Sequence, residues 1–314
     1  MRIFRSVAEA AGVMGPSAVS IGNFDGVHRG HQELFRRLAV HAARLGVKPS
    51  VITFNPHPTR VVAPHRAPRL LSSVERRLEW IGACGIEQAL VIPFDDEFSK
   101  LPPEEFVTRV VVQGAGARLV LVGENFRFGN RQAGDTERLA ELGAAMGFDT
   151  EVVTAVDYRK HMVSSTAVRG LLDAGEVVWA ARMLGRWYTL EGEVVAGHGV
   201  GSKQTVPTLN LKTDAEVLPA RGVYITSTVD LDDGRRWPSV TNIGTRPTFG
   251  GNELAIETYL LRLLEGTTPR RIGVSFLHRL RPERRFDDAA ALKAQIFRDV
   301  SRAQTYFRRR PGQV

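Results

Sequence analysis

The sequence predicts an α/β first half, a parallel doubly wound (Rossmann-like) sheet, followed by a small six-stranded antiparallel β-barrel with a C-terminal helix. Three observations predict it. Short apolar runs alternate with helical patterns over the first half; the rhythm then changes to strands separated by hairpin-type turns; one long amphipathic pattern closes the chain. The change of rhythm sets two domains, 1–183 and 184–314, and 314 residues are comfortable for two cores.

In the first half, strands are expected at 18–22, 49–54, 88–93, 117–122 and 150–156, with helices near 31–45, 73–83, 103–113 and 136–146. Leu34, Leu38, Ala42 and Leu45 share one face of the first helix, which stops at Gly46. Ser72 with Glu75 fits a capping box, Pro103 a first helical position and Asp135 a cap. In the second half, strands are expected at 187–196, 205–211, 221–230, 235–243, 254–262 and 271–280, with Asp232-Asp233-Gly234 as one hairpin turn. The closing helix, about 287–308, would bury Leu292, Ile296, Val300, Ala303 and Phe307.

Charge and composition exclude several classes. The net charge of +8 resides entirely in the stretch from Arg270 onward, and that stretch lacks the aromatic and basic interleaving of a single-strand binder, so nucleic acid is not the expected partner. No apolar run reaches the roughly 18 residues that would span a bilayer, and the amino terminus does not resemble a signal peptide, so a cytoplasmic protein without a membrane partner is expected. The lone Cys84 cannot form an internal disulfide. Nothing in the composition bears on oligomeric state beyond leaving room for a weak or transient homo-oligomer.

Ligands of a parallel sheet sit at the carboxyl ends of its strands, and three unusual turns fall there. The first is Gly22-Asn23-Phe24-Asp25-Gly26-Val27-His28-Arg29-Gly30-His31, which places two imidazoles and free backbone N–H groups at a helix amino end, an arrangement that favours phosphate. The others are Thr53-Phe54-Asn55-Pro56-His57-Pro58 and Gly123-Glu124-Asn125-Phe126. Further on, Ser164-Ser165-Thr166-Ala167-Val168-Arg169 opens another helix with hydroxyls and a guanidinium, a second anion-binding end. In the second half the polar residues read as a cluster inside a barrel. Pro207-Thr208-Leu209-Asn210 ends a Gly-rich loop; Asn242 to Phe249 forms a turn; Glu257 interrupts an apolar strand. Thr208 and Asn210, two apart on a strand, offer hard oxygens that suit Mg²⁺, and a carboxylate nearby could accept the proton of an attacking alcohol.

Together these segments resemble the bacterial bifunctional riboflavin kinase/FAD synthetase (FMN adenylyltransferase) family, in order along nearly the whole chain. The resemblance implies a nucleotidyltransferase domain that joins FMN to the adenylyl group of ATP, releasing pyrophosphate, and a barrel that phosphorylates riboflavin to FMN. It implies that His28 and His31 are catalytic, and that Gly22, Phe24, Asp25, His28, His31, Asn125, Ser165, Thr166 and Arg169 bind ATP in the first domain. Phe54, Asn55, Pro56 and Pro58 would hold the flavin there. In the barrel, Gly201, Lys203, Thr208 and Asn210 would bind ATP, Thr208 and Asn210 the metal, Asn242 and Arg279 the flavin, and Glu257 would be the base. ATP, riboflavin and FMN are the implied partners, FAD the product and Mg²⁺ the cofactor. The chain departs from the family pattern in three places: Leu209 stands where Ala is usual, Val200 to Val206 replaces an Arg-Gly-Arg phosphate loop, and an acidic stretch after the Glu strand is replaced from Arg262 onward. A class I tRNA-synthetase-like enzyme shares His-x-Gly-His, but its Lys-rich second signature is absent from this sequence.

Overall fold

The computed structural model describes residues 1–154, 157–159, 161–195, 208–248, 251–264, 266–310 and 312. The chain divides into two compact units, Met1–Ser165 and Thr166–Val314. Gly201 and Lys203, with the rest of the expected phosphate loop, lie outside the described residues. Among the described residues no helix is long and apolar enough to cross a membrane.

The first unit runs β1 (Arg2–Phe4), α1 (Val7–Ala10), β2 (Ser17–Ile21), α2 (Arg29–Leu45), β3 (Lys48–Asn55), α3 (Pro58–Val62), α4 (Val74–Ala83), β4 (Gln88–Pro93), α5 (Pro103–Phe106), β5 (Ala117–Gly123), α6 (Thr136–Met146), β6 (Asp149–Val153) and a ribbon of β7 (Asp157–Tyr158) with β8 (His161–Met162). The six main strands are parallel, in the order β1-β4-β3-β2-β5-β6. Alternate residues of each strand feed two cores. Ala18, Val51 and Leu121 pack beneath α2 and α4, while Val19, Ile52 and Val120 pack beneath α6 and the segment from Pro103 to Gly114. That segment begins as an α-helix and continues as a π-helix over Val107–Gly114. The edge strand β1, only three residues long, has no sequence signal that a periodicity could catch.

Most expected helix ends hold. Gly46 adopts φ 65° after α2, and the Asp135 carboxylate accepts from Arg138 N–H at 2.9 Å. The cap of α4 moves by one residue. Ser73 Oγ accepts from Arg76 N–H at 3.2 Å, and the buried Ser72 Oγ instead accepts from Gly26 N–H at 3.3 Å.

The second unit carries α7 (Ser165–Asp173, beginning on the last residue of the first), α8 (Val177–Leu184), β9 (Tyr188–Val195), β10 (Thr208–Lys212), β11 (Gly222–Asp230), β12 (Arg236–Thr248), β13 (Gly251–Leu260), β14 (Arg271–Pro282) and α9 (Ala289–Arg309). The strands close into an antiparallel barrel in the order β10-β13-β12-β11-β14-β9. A ladder of buried hydroxyls fills its interior: Thr226 bonds Ser239 and Thr241 at 2.8 Å each, Ser239 bonds Thr228 at 2.8 Å, and Thr241 bonds Thr258 at 2.9 Å. Each hydroxyl is satisfied by its neighbour, which removes the cost of burying it. The stretch expected to form a turn after Asn242 continues as β12 to Thr248, paired with β13 from Gly251.

α9 covers the outer wall of the barrel, with Ala303 and Phe307 packed on Val223, Ile225 and Val240. Its buried line differs from the expected apolar stripe. Gln295, Asp299, Ala303 and Phe307 are buried at four-residue spacing, whereas Leu292 is 42% exposed. A four-residue step keeps these on one face, so the helix is turned to bring polar groups inward.

Candidate functional site

Two sets of sequence-predicted residues converge, one in each unit. In the first, connections leave β2 toward β3 on one side, while β5 lies on the other. The carboxyl ends of β2 and β5 therefore flank the topological switch point of the sheet, where crevices form. The turn 22–28 follows β2, and Gly123 to Phe126 follows β5 as a tight turn closed by Phe126 N–H to Gly123 O at 3.0 Å, with Asn125 exposed on it.

The backbone of the first turn is unusual. Phe24, Gly26 and Val27 have φ of 49°, 75° and 37°. For Phe and Val this left-handed conformation costs on the order of 1 kcal/mol each, and such strain persists where the surroundings over-determine it. Asp25 supplies much of that determination. Its buried carboxylate accepts from Leu71 N–H through both oxygens, at 3.0 and 3.1 Å, and its carbonyl accepts from Ser165 Oγ at 2.8 Å. The first residue of α7 is thus tied to the rim; Thr166 on that helix is exposed and Arg169 half-buried.

His28 caps α2, its Nδ1 accepting from His31 N–H at 3.4 Å. The two imidazoles stack at 3.6 Å between centroids and 18° between planes, and His31 meets the edge of Phe24 at 5.3 Å. Gly30 permits this, since a Cβ there would lie 3.1 Å from His28 Nδ1. Burial holds the His31 imidazole well below its ordinary value, and the neighbouring His28 and Arg77 push the same way. Its Nδ1 is buried and has no partner among the described residues.

Arg77, on α4, is a residue that the sequence reading missed. It is 1% exposed, its Nη1 reaches Thr53 Oγ1 at 3.5 Å, and its Nε has no partner among the described residues. Thr53 Oγ1 in turn donates to Asn23 O at 3.4 Å, and Asn23 Oδ1 is also buried with no partner among the described residues. A fixed cation under a phosphate-type rim has no signal in a helix that reads as Glu-Arg-Arg-Leu-Glu, because only the fold reveals which of two adjacent arginines turns inward. The turn after β3 places Phe54 edge-on to Phe94 at 5.6 Å, with Asn55 and Pro56 exposed and Pro58 opening α3 under the His57 cap.

In the second unit, strand register assembles the site. Asn210 lies opposite Glu257, Glu257 opposite Asn242, Asn242 opposite Val223, and Val223 opposite Arg281. Directly opposed residues share a face, so this row crosses five adjacent strands on one wall, with Thr208 two residues along from Asn210. The wall is the outer one, because the hydroxyl ladder takes the alternate positions and α9 lies over this side. Leu209, the departure from the family pattern, points the other way and is buried, leaving Thr208 and Asn210 on the polar face.

A cavity of about 300 Å³ separates this wall from α9, lined by Asn242, Glu257, Arg281, Glu283 and Asp299 among apolar side chains. Glu283 Oε1 accepts from Thr245 N–H at 3.1 Å. Thr208 borders a separate open hollow of about 930 Å³ with Arg270 and Arg271. Arg279 does not line the cavity. Its guanidinium donates to Ala174 O at 3.0 Å and Arg221 O at 2.8 Å. The register shift between Val223 and Tyr224 leaves Leu280 as the extra residue of a bulge and sets Arg281 on the cavity face.

The hydroxyl of Thr208 and the carbonyl of Asn210 are half-buried hard oxygens on one face. That donor set fits Mg²⁺, which keeps several waters and is usually shared with substrate phosphates. Among the described residues no group of three or more His, Cys, Asp or Glu side chains could hold a metal.

Comparisons with known proteins agree with this division. A FAD synthetase family model matches residues 12–167 and a riboflavin kinase family model residues 184–307. A bifunctional riboflavin kinase/FMN adenylyltransferase of Pseudomonas fluorescens is 38% identical, with 91% of each chain covered. The protein of that name from Escherichia coli K12 is 34% identical, with 92% of each covered. A solved structure described as a macrolide-efflux protein from Streptococcus pneumoniae matches in fold with a TM-score of 0.86, at 25% identity, over 96% of this chain and 98% of that one. The chain belongs to the bifunctional riboflavin kinase/FMN adenylyltransferase family.

Proposed function

We propose, from that membership, that the chain carries out two successive transfers from ATP, each in its own part. Riboflavin is phosphorylated to FMN, and FMN is adenylylated to FAD with release of pyrophosphate. Adenylyl transfer belongs to residues 1–183 and kinase chemistry to 184–314, and the reaction is cytoplasmic. The observation that carries the reading is the pair of family models matched in sequence, at 12–167 and 184–307, with homologues of the same double name over nine-tenths of the chain.

In the kinase part, Glu257 takes the proton from the ribityl 5′-hydroxyl as that oxygen bonds the γ-phosphorus and the bond to the ADP oxygen breaks. Its place between Asn210 and Asn242 and beside the cavity supports this role. Asn242 orients the flavin. Thr208 and Asn210 would hold Mg²⁺, which when bound offsets charge on the ATP phosphates. In the adenylyl part, an oxygen of the FMN phosphate bonds the α-phosphorus and pyrophosphate leaves. His28 and His31 hydrogen-bond the phosphates as charge shifts, helped by the amino end of α2 and by Ser165; Thr166 and Arg169 bind ATP as the family resemblance implies. Phe54, Pro56 and Pro58 offer a flat apolar surface for the ring beside Asn55, and Asn125 follows another strand of the same sheet at the same end.

Mass-resolved product analysis with riboflavin and Mg²⁺-ATP tests the reading. FMN followed by FAD, with ADP and pyrophosphate, is expected, and chelation of magnesium stops both steps. Recovery of unchanged riboflavin from folded protein would refute it.

A further inference from the structure

The inner face of α9 carries Gln295 and Asp299, 8% and 2% exposed, where apolar residues would serve packing alone. Asp299 Oδ2 accepts from Arg281 Nε at 2.9 Å, and Oδ1 accepts from Gln295 Nε2 at 2.8 Å. Gln295 Oε1 accepts in turn from Arg298 at 2.9 and 3.1 Å and from Arg284. Arg281 and Arg284 also lie over the Phe286 ring, at 5.6 and 4.7 Å. The network therefore joins the end of β14, the segment after it and two turns of α9. Arg281 and Asp299 both line the cavity that holds Glu257.

Stability alone does not explain such a pair. Desolvation of the buried Asp299 carboxylate and the partly buried Arg281 guanidinium offsets their attraction, and well-packed apolar replacements are often neutral or stabilising. What a directional pair adds is registry. An apolar helix on an apolar wall can rotate or slide with little penalty, whereas a carboxylate held by a guanidinium on one side and a carboxamide on the other accepts one placement. The bulge at Leu280 contributes by turning Arg281, rather than its neighbour, toward that carboxylate.

We propose that Asp299, acting through Arg281 and Gln295, is a positioning residue that fixes α9 in the register where Ile296 and Val300 form the second wall of the kinase cavity. The proposal rests on assigning that cavity to riboflavin. It concerns substrate affinity rather than the phosphoryl-transfer step, because none of these groups has to touch the reacting oxygen.

The test compares steady-state riboflavin phosphorylation and thermal midpoint for wild type, Asp299→Asn, Arg281→Lys, and Arg281→Met combined with Asp299→Leu. Adenylylation of supplied FMN serves as the internal control. Asp299→Asn is expected to raise KM for riboflavin about tenfold with kcat lowered less than about threefold, since the binding lost is shared equally by the bound substrate and the transition state. The apolar double variant is expected to melt at or above the wild-type temperature and still show the raised KM, a combination that a purely structural role would not give. Arg281→Lys keeps the charge but loses the Nε donor and the stacking on Phe286, and is expected to raise KM in the same direction as Asp299→Asn. FMN adenylylation stays unchanged in all three. A wild-type KM in Asp299→Asn, or a loss confined to kcat, overturns the proposal, and the Asn variant decides the matter if the double variant does not fold. Full riboflavin phosphorylation by Glu257→Gln would instead remove the cavity assignment itself.

Discussion

The rim of the parallel sheet and the outer wall of the barrel are built in opposite ways. On the rim, His28 and His31 come from one turn and one helix start, and their stacked rings follow from local backbone that Gly26 and Gly30 permit. On the wall, Asn210, Glu257 and Asn242 come from three strands and meet only because the ladders pair in one register. A site of consecutive residues tolerates change elsewhere as long as its own turn is braced. A site of opposed residues depends on every strand between them, since a slip of one residue turns each side chain to the other face.

That contrast can be broken directly. Glu257→Gln is expected to lower riboflavin phosphorylation by about 10²–10⁴-fold, the usual worth of a general base, while leaving adenylylation of FMN intact. A smaller loss would mean that the wall serves binding alone. His31→Ala is expected to lower adenylyl transfer by about 10²–10³-fold and to let FMN accumulate from riboflavin, as removal of one transition-state hydrogen-bond donor does.

Bracing of the rim gives smaller effects. Asp25→Ala removes the acceptor of Leu71 N–H and is expected to destabilise the first unit by about 2 kcal/mol in denaturant titration, because that bond is buried and charge-assisted. Ser73→Ala is expected to cost about 1 kcal/mol as a lost helix cap. The pH dependence is the mildest. His31 titrates below its ordinary value, because burial disfavours the imidazolium and His28 and Arg77 add to this. Its contribution is therefore present in full above about pH 6.5, the unfolded value, and declines as the pH falls below it. Thermal melts of wild type should drop more steeply between about pH 6.5 and 5 than those of His31→Gln.

Much of this was legible in the sequence for a physical reason. The alternation of strand and helix, the cap at Asp135 and the stop at Gly46 are local signals, and so is the His28–His31 turn. Thr208, Asn210, Asn242 and Glu257 stand out in the sequence as a polar cluster, though one expected inside the barrel rather than on its outer wall. The reversal to the outer wall follows from Thr226, Ser239, Thr241 and Thr258, which satisfy one another's hydroxyls inside the barrel and so already occupy the interior positions. Three features left no local trace. Arg77 turns inward only because α4 packs where it does; Arg281 replaces Arg279 at the cavity because of a bulge; and Asp299 is buried because α9 is rotated from its apolar stripe. Each depends on how one element is set against another.

The central claim is that each part performs one step, so that loss of either step leaves the other intact. Mixing His31→Ala protein with Glu257→Gln protein in one vessel with riboflavin and Mg²⁺-ATP tests it. The first alone should stop at FMN and the second alone should leave riboflavin untouched, while the mixture should form FAD. A mixture that yields no FAD, with both proteins folded, would contradict the account.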